Sequence, residues 1–228
     1  MKIIASDFDK TLFVDDKDTV IKNVNSINDF VKDGNIFILV TGRIYSDIKL
    51  LLDEYNIKYN YLICEDGTKI FNNLDYSIKD YLLPRKKVEK IEEILNKYEL
   101  EYYLDDGYNT TENKDDCIKI NSKITDRELF KKVLKEIKDN VEVYAYLSKS
   151  FLNITDSSTS KAIALEYLMA YEDLNENDLY VIGDDVNDVE MIKRYRGYVM
   201  SDHSEELDNI SRKEFETFYE FVDYIKNT

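Results

Sequence analysis

Ile3-Ile4-Ala5-Ser6-Asp7-Phe8-Asp9-Lys10-Thr11 reads as a buried strand that ends on two carboxylates. In a parallel sheet the carboxyl end of a strand is where chemistry is kept. Two aspartates spaced two apart on an extended exit serve different tasks, one bonding to an incoming atom while the other handles its proton. The pattern alone is cheap in this chain, since Asp16-x-Asp18 repeats it a few residues later. Its meaning therefore depends on what surrounds it.

The next apolar positions, Val20, Val24, Ile27, Phe30 and Val31, recur at helical spacing up to Gly34. Ile36 to Val40 reads as a second buried strand, Ile44 to Tyr55 as a second helix, and Tyr61 to Cys64 as a third strand. Alternating strand and helix predicts a doubly wound parallel α/β sheet covered on both faces. Asp66-Gly67 is a turn signal, with Lys69-Ile70-Phe71 able to return as a hairpin.

From residue 82 the rhythm changes. Pro84, the only proline, stands at a helix start continued by Val88, Ile91, Leu95 and Tyr98. Strands follow at Glu101 to Leu104 and Cys117 to Asn121. Thr125-x-x-Glu128 reads as a capping box opening a helix, with strands at Val141 to Leu147 and Phe151 to Ile154. The first rhythm returns with a helix from Ser160, a strand Leu179 to Ile182, a helix from Asn187, a strand Tyr198 to Met200 and a terminal helix from Phe215. The expectation is a discontinuous core, residues 1–81 and 151–228, with a smaller α/β module at 82–150.

Within the core, four pieces fall at one sheet edge: Asp7 and Asp9, then Thr41-Gly42-Arg43, then Lys161, then Gly183-Asp184-Asp185-Val186-Asn187-Asp188. Each alone has a bland reading as turn, cap or surface charge. Together they suit phosphoryl transfer, in which a group with charge on three oxygens needs positioning and compensation. Asp7 needs no deprotonation to act as a nucleophile, and Asp9 would move protons. Thr41 and Lys161 would hold phosphoryl oxygens, and Gly42 would let backbone amides approach. Asp7 and Asp184 are the natural ligands of Mg2+, a hard cation that relieves anionic repulsion.

Composition narrows the class. Lys and Arg total 31 against 47 Asp and Glu, a net charge of −16, which disfavours nucleic acid or an anionic membrane as partner. A phosphorylated substrate then needs a bound divalent cation or local lysines. Cys64 and Cys117 have no metal spacing, no leader or membrane-spanning stretch is seen, and a reducing cytoplasm is the expected setting. Cap candidates for substrate contact are Glu112, Asn113, Lys119 and Asn121, and the basic positions there are Arg85-Lys86-Lys87, Lys119, Lys123 and Arg127. The lone histidine, His203, is given no role.

D-F-D-K-T, Thr41 in L-V-T-G-R, Lys161, and G-D-D-V-N-D-V-E-M resemble the four motifs of the haloacid dehalogenase-like superfamily, in its Cof-type phosphatases. The resemblance covers residues 1 to 80 and 155 to 228. It implies Asp7 as nucleophile, Asp9 as acid/base, and Mg2+ held by Asp7, the Asp9 carbonyl and Asp184. Asn187 and Asp188 match positions that support phosphate or metal, and the insert matches an α/β cap between the second and third motifs. Lys10 replaces a common glycine, Asp66 replaces the asparagine of an Asn-Gly turn, and the tail lacks a later strand region. The implied activity is a phosphatase for a small phosphorylated metabolite. A phosphomutase, or a silent phosphate-ligand-binding protein, is the alternative.

Overall fold

A computed structural model describes residues 1–148 and 150–228. The strands and helices run β1 (Ile3–Ser6), α1 (Lys17–Lys32), β2 (Ile36–Val40), α2 (Tyr45–Glu54), β3 (Tyr61–Cys64), β4 (Lys69–Asn72), β5 (Ser77–Asp80) and α3 (Arg85–Lys97). They continue β6 (Tyr102–Asp105), β7 (Thr110–Thr111), β8 (Lys119–Lys123), α4 (Arg127–Asn140), β9 (Val143–Ser148), β10 (Phe151–Asp156) and α5 (Lys161–Tyr171). The chain closes with β11 (Leu179–Gly183), α6 (Val189–Tyr195), β12 (Tyr198–Met200), β13 (Glu214–Phe215) and α7 (Phe218–Asn227).

The first sheet has the order β13-β12-β11-β1-β2-β3-β4-β5. It is parallel from β13 to β3, and the expected β3–β4 hairpin is antiparallel, extended by β5. Strand alternation explains its two covered faces. Ile4, Phe37, Leu39 and Leu62 pack with Val24, Ile27, Ile48, Phe218 and Phe221 of α1, α2 and α7. Ile3, Ala5, Ile38, Val40 and Val181 pack with Leu165, Leu168, Met191 and Ile192 of α5 and α6. β1 lies between β2 and β11, so the chain leaves it in opposite directions. This switch opens a crevice beyond the carboxyl ends.

The second sheet, β7-β6-β8-β10-β9, is antiparallel throughout. Val88, Ile91 and Leu95 of α3 and Val133 and Ile137 of α4 cover one face, meeting Ile120, Leu152 and Ile154. Alternation then sends Lys119, Asn121 and Asn153 to the other face, where Asn153 sits between Asn121 and Tyr146 in register.

Three expectations are corrected. Phe151–Asp156 pairs with β8 and β9, so the expected boundary at 150 moves past Asp156. The cap of α4 is Asp126 rather than Thr125: its Oδ1 accepts from Glu128 N at 2.9 Å and Leu129 N at 3.2 Å. Phe215 lies in β13, parallel to β12, and the last helix starts only at Phe218 after a turn in which Thr217 N donates to Glu220 Oε2. The tail therefore does contain a later strand. Among the described residues no helix is long and apolar enough to cross a membrane.

Candidate active site

The crevice at the switch point gathers the four pieces. Asp7 extends β1, its N–H donating to Ile182 O at 3.0 Å, and is buried. Lys161, the first residue of α5, donates to Asp7 Oδ1 at 2.6 Å and Asp188 Oδ1 at 2.8 Å. A lysine at a helix N-terminus faces the positive end of the dipole, so it is these two carboxylates that hold it there. Asp188 Oδ2 accepts from the N–H groups of Asp184 (3.0 Å) and Asp185 (3.1 Å). Gly183 permits this closeness, because a Cβ there would meet Asp188 Cγ at 2.4 Å. Thr11 Oγ1 donates to Asp184 Oδ1 at 2.8 Å, and Ser204 N donates to Asp184 O at 2.8 Å.

Asp7, Asp184 and Asp188 each offer an oxygen within 4.8 Å of one another. Burial pushes the Asp7 carboxyl well above its ordinary range; Lys161 opposes this, and the charges of Asp188 and Asp184 add to it. Burial and the Asp188 charge raise Asp184 to about 7 against the Thr11 bond and Lys161. Burial disfavours the Lys161 ammonium, but Asp188, Asp7 and Asp66 hold its pKa well above normal. Three carboxylates against one ammonium leave excess negative charge among hard oxygen donors, the chemistry that fits Mg2+. Both oxygens of Asp188 are engaged by protein donors, so the uncommitted oxygens belong to Asp7 and Asp184.

Asp9 stands apart from this group. Its carboxylate accepts from Arg43 Nε at 2.8 Å and Nη2 at 2.6 Å, a two-pronged pair. Lys10 beside it takes φ 62°, the left-handed conformation that explains why a glycine also suits this position. Thr41 is fully buried, and its Oγ1 accepts from Arg43 N at 3.1 Å. Asn187 Nδ2 donates to Asp66 Oδ1 at 2.9 Å and lies 3.4 Å from the Tyr146 hydroxyl.

A cavity of about 360 Å³ lies between the two sheets, lined by Asp7, Asp9, Gly42, Asp184 and Asn187 from below and Lys119, Asn121, Tyr146, Ser148 and Asn153 from above. Thr41, Lys161 and Asp188 are buried behind its wall. Of the cap candidates, Lys119 and Asn121 reach the cavity, whereas Glu112 and Asn113 lie outside its lining. Arg85 pairs with Glu89 and Asp115, and Lys87 with Asp156 at the end of β10, and neither cation lines the cavity. His203 lies near Asp208 and Glu214 and plays no part in the cavity.

No sequence pattern marks Thr11, Arg43, Glu65 or Tyr146 as functional, or fixes a role for Asp66. Lys119 Nζ donates to Asp66 Oδ2 at 2.7 Å and lies 3.2 Å from Glu65 Oε2. Burial raises Glu65 to about 7 despite Lys119. Burial would raise Asp66 as well, but the Lys119 and Lys161 charges outweigh it and bring that carboxyl down to about 2. The only sequence signal for this wall is polar alternation within β8 and β10, Lys119-Ile120-Asn121 and Leu152-Asn153-Ile154.

The architecture is that of solved haloacid dehalogenase-like proteins. A phosphatase of that superfamily from Bacteroides thetaiotaomicron superposes with a TM-score of 0.85, covering 100% of this chain and 96% of its own at 18% identity. A subclass IIB sugar phosphatase gives 0.79, covering 100% and 98% at 16% identity. Fold and crevice share the haloacid dehalogenase-like architecture. Residues 1–218 match the model of the sucrose-6F-phosphate phosphohydrolase family, and the chain belongs to that family of haloacid dehalogenase-like phosphatases. It is also similar to the HMP-PP phosphatase of Yersinia enterocolitica, 25% identical over 228 residues, covering 87% of this chain and 83% of the relative.

Proposed function

We propose that this phosphatase depends on Mg2+ and hydrolyses a small phosphorylated metabolite through an aspartyl phosphate on Asp7. The observation that carries the reading is the grouping of buried Asp7, Asp184 and Asp188 at the crevice, with Asp7 and Asp188 sharing one buried lysine, Lys161. Mg2+ held by Asp7, Asp184 and the Asp9 carbonyl would supply charge compensation for the phosphoryl oxygens. Asp188, with both oxygens occupied, supports from behind by fixing Lys161 and the Asp184 backbone.

Asp7 attacks phosphorus as the bond to the leaving oxygen breaks, and Asp9, protonated for this step, gives that oxygen its proton. Water then attacks the acyl phosphate, with Asp9 taking its proton and Asp7 regenerated. Arg43 holds Asp9 in readiness and must yield a bond when Asp9 turns to the leaving group. Lys161 steadies the Asp7 carboxylate from behind the wall. Gly42 and Asn187 stand on the wall as phosphate contacts, while Thr41 shapes the loop by accepting from Arg43 N.

A cavity of about 360 Å³ suits a small metabolite, and Asn121, Asn153, Tyr146 and Ser148 supply donors and acceptors for its hydroxyl groups. The names of the matched family, sucrose-6F-phosphate phosphohydrolase, and of the Yersinia relative, HMP-PP phosphatase, support this class. A cytoplasmic setting belongs to the same proposal and is supported by the two free, buried cysteines, Cys64 and Cys117.

The test is phosphate release from a panel of sugar phosphates, nucleotides and HMP-PP, with Mg2+ or with EDTA. Release that requires Mg2+ and disappears in Asp7→Asn is expected. Release unaffected by either change would overturn the mechanism, and isomer conversion without net release would replace it with a mutase.

A further inference from the structure

Lys119 is a cation placed by one sheet into the loops of the other. It sits on β8, near the middle of the second sheet, with its side chain 4% exposed. Its ammonium lies 2.7 Å from Asp66 Oδ2, 3.2 Å from Glu65 Oε2 and 3.4 Å from the Gly42 carbonyl oxygen. All three acceptors belong to the first sheet's loops. Asp66 Oδ1 meanwhile accepts from Asn187 Nδ2 at 2.9 Å. One carboxylate, in the loop after β3, therefore joins the second sheet to the acidic loop after β11, while the ammonium it binds also reaches Gly42 O in the loop after β2.

The backbone reinforces this junction. Asp66 N donates to Thr41 O and Glu65 N to Arg43 O, both at 3.1 Å, so residues 65 and 66 move with the Thr41–Arg43 loop. Asp66 itself takes φ 59°, and the absent side chain of Gly42 leaves room for it: a Cβ there would meet Asp66 Oδ1 at 2.9 Å. Lifting the second sheet would strand two buried carboxylates without their ammonium, which water or a proton must then satisfy. Tyr146 of β9, with its hydroxyl 3.4 Å from Asn187 Nδ2, would leave at the same time.

We propose that Lys119 is a positioning residue: by seating on Asp66 it couples closure of the second sheet to the placement of Gly42 and Asn187, two wall residues of the cavity. The coupling rests on the reading of this cavity as the phosphatase site. It differs from substrate recognition because both charges of the latch belong to the protein. Closure therefore works equally for substrates with neutral leaving groups.

The test compares wild type, Lys119→Met, Lys119→Arg and the double variant Asp66→Asn/Lys119→Met, using p-nitrophenyl phosphate with Mg2+. Hydrogen exchange of the segments spanning 41–45 and 183–188 is followed in the same samples. Misplaced positioning of this kind costs up to about 10²-fold in turnover. Lys119→Met is expected to lower kcat by about 10- to 100-fold, with little change in KM, and to speed exchange in both segments. Lys119→Arg should recover most of both losses. The double variant, which removes the Asp66 charge together with the ammonium, should fold as wild type and stay slow. Wild-type kcat and exchange in Lys119→Met, or full kcat in the double variant, would overturn the coupling. If wild type itself releases no phosphate, the phosphatase reading fails, and the exchange comparison still decides whether Lys119 holds the two loops.

Discussion

Lys161 and Lys119 are both buried, and each bridges two carboxylates, yet they do different work because of where the partners come from. Asp7 and Asp188 follow β1 and β11 of the first sheet, whose parallel ladder fixes one strand against the other, and Lys161 opens α5, which packs on that same sheet. Lys119 comes from β8 of the second sheet, while Glu65 and Asp66 follow β3 of the first. A buried ion pair is weak evidence for stability, but it makes geometry specific. Within one sheet that specificity sets up a permanent site. Across two sheets it reports whether they have met.

Removing the nucleophile should have the largest effect on either region. Asp7→Asn keeps the shape and a carbonyl acceptor for Lys161 but loses the attacking charge, so turnover should fall by about 10³-fold or more. Phosphate release under single-turnover conditions checks it. Lys161→Met should follow, at about 10²- to 10³-fold, since it leaves Asp7 and Asp188 buried without their ammonium. The contrast with Lys119 lies in the remedy. Lys119→Arg borders the cavity and has three loop acceptors to meet, whereas Lys161→Arg would have to fit the closed space between Asp7 and Asp188. Rescue by arginine at 161 as complete as at 119 would erase the distinction drawn between the two lysines.

The same contrast explains what could be read from sequence. Lys161 was legible because its partners fall at strand ends whose order follows from alternating strands and helices, and an edge fixed by topology gathers side chains predictably. Asp16-x-Asp18 shows the rule's other side: it repeats the spacing of Asp7 and Asp9, but Asp16 caps α1, accepting from Thr19 N at 2.8 Å. Lys119 was only one polar candidate among four, since its partner depends on how two sheets dock, for which no local periodicity exists. The misplaced boundary at 150 has a related cause. Phe151 to Ile154 reads as a strand in either sheet, and only its pairing with β8 and β9 assigns it. β13, two residues long, is too short to leave a periodic trace.

A smaller effect is expected at Arg43, which belongs to the first sheet's loop yet holds a half-exposed partner. Its pKa is raised mainly by the side-chain bond to Asp9, with burial opposing, so the guanidinium remains charged throughout any useful pH range. Arg43→Ala frees Asp9 from a two-pronged restraint without stranding a buried charge. Turnover should fall by about 10-fold through lost orientation of the proton donor. An aryl ester whose leaving group needs no proton should lose much less than an alkyl ester. Equal losses on both would separate Arg43 from the proton-transfer step.

The smallest effect on turnover, and the most revealing about the seam between the sheets, is expected from Glu65→Gln. Glu65 is buried, its Oε1 has no hydrogen-bond partner among the described residues, and burial with the nearby charges of Asp105 and Asp66 raises its pKa from 4.5 to about 7 against the pull of Lys119. A folded-state pKa above the unfolded value means the native protein binds more protons between those two values, so stability falls as pH rises through that window and levels off above it. A displacement of this size corresponds to on the order of 3 kcal/mol as an upper bound. Glutamine keeps the shape, removes the titration and leaves Lys119 paired with Asp66 at 2.7 Å. Urea unfolding of metal-free protein at pH 5 and pH 8 should give nearly equal stabilities for wild type and variant at pH 5 and a more stable variant at pH 8. Parallel pH profiles would mean that Lys119 serves both carboxylates as ions, and the latch would then carry two negative charges rather than one.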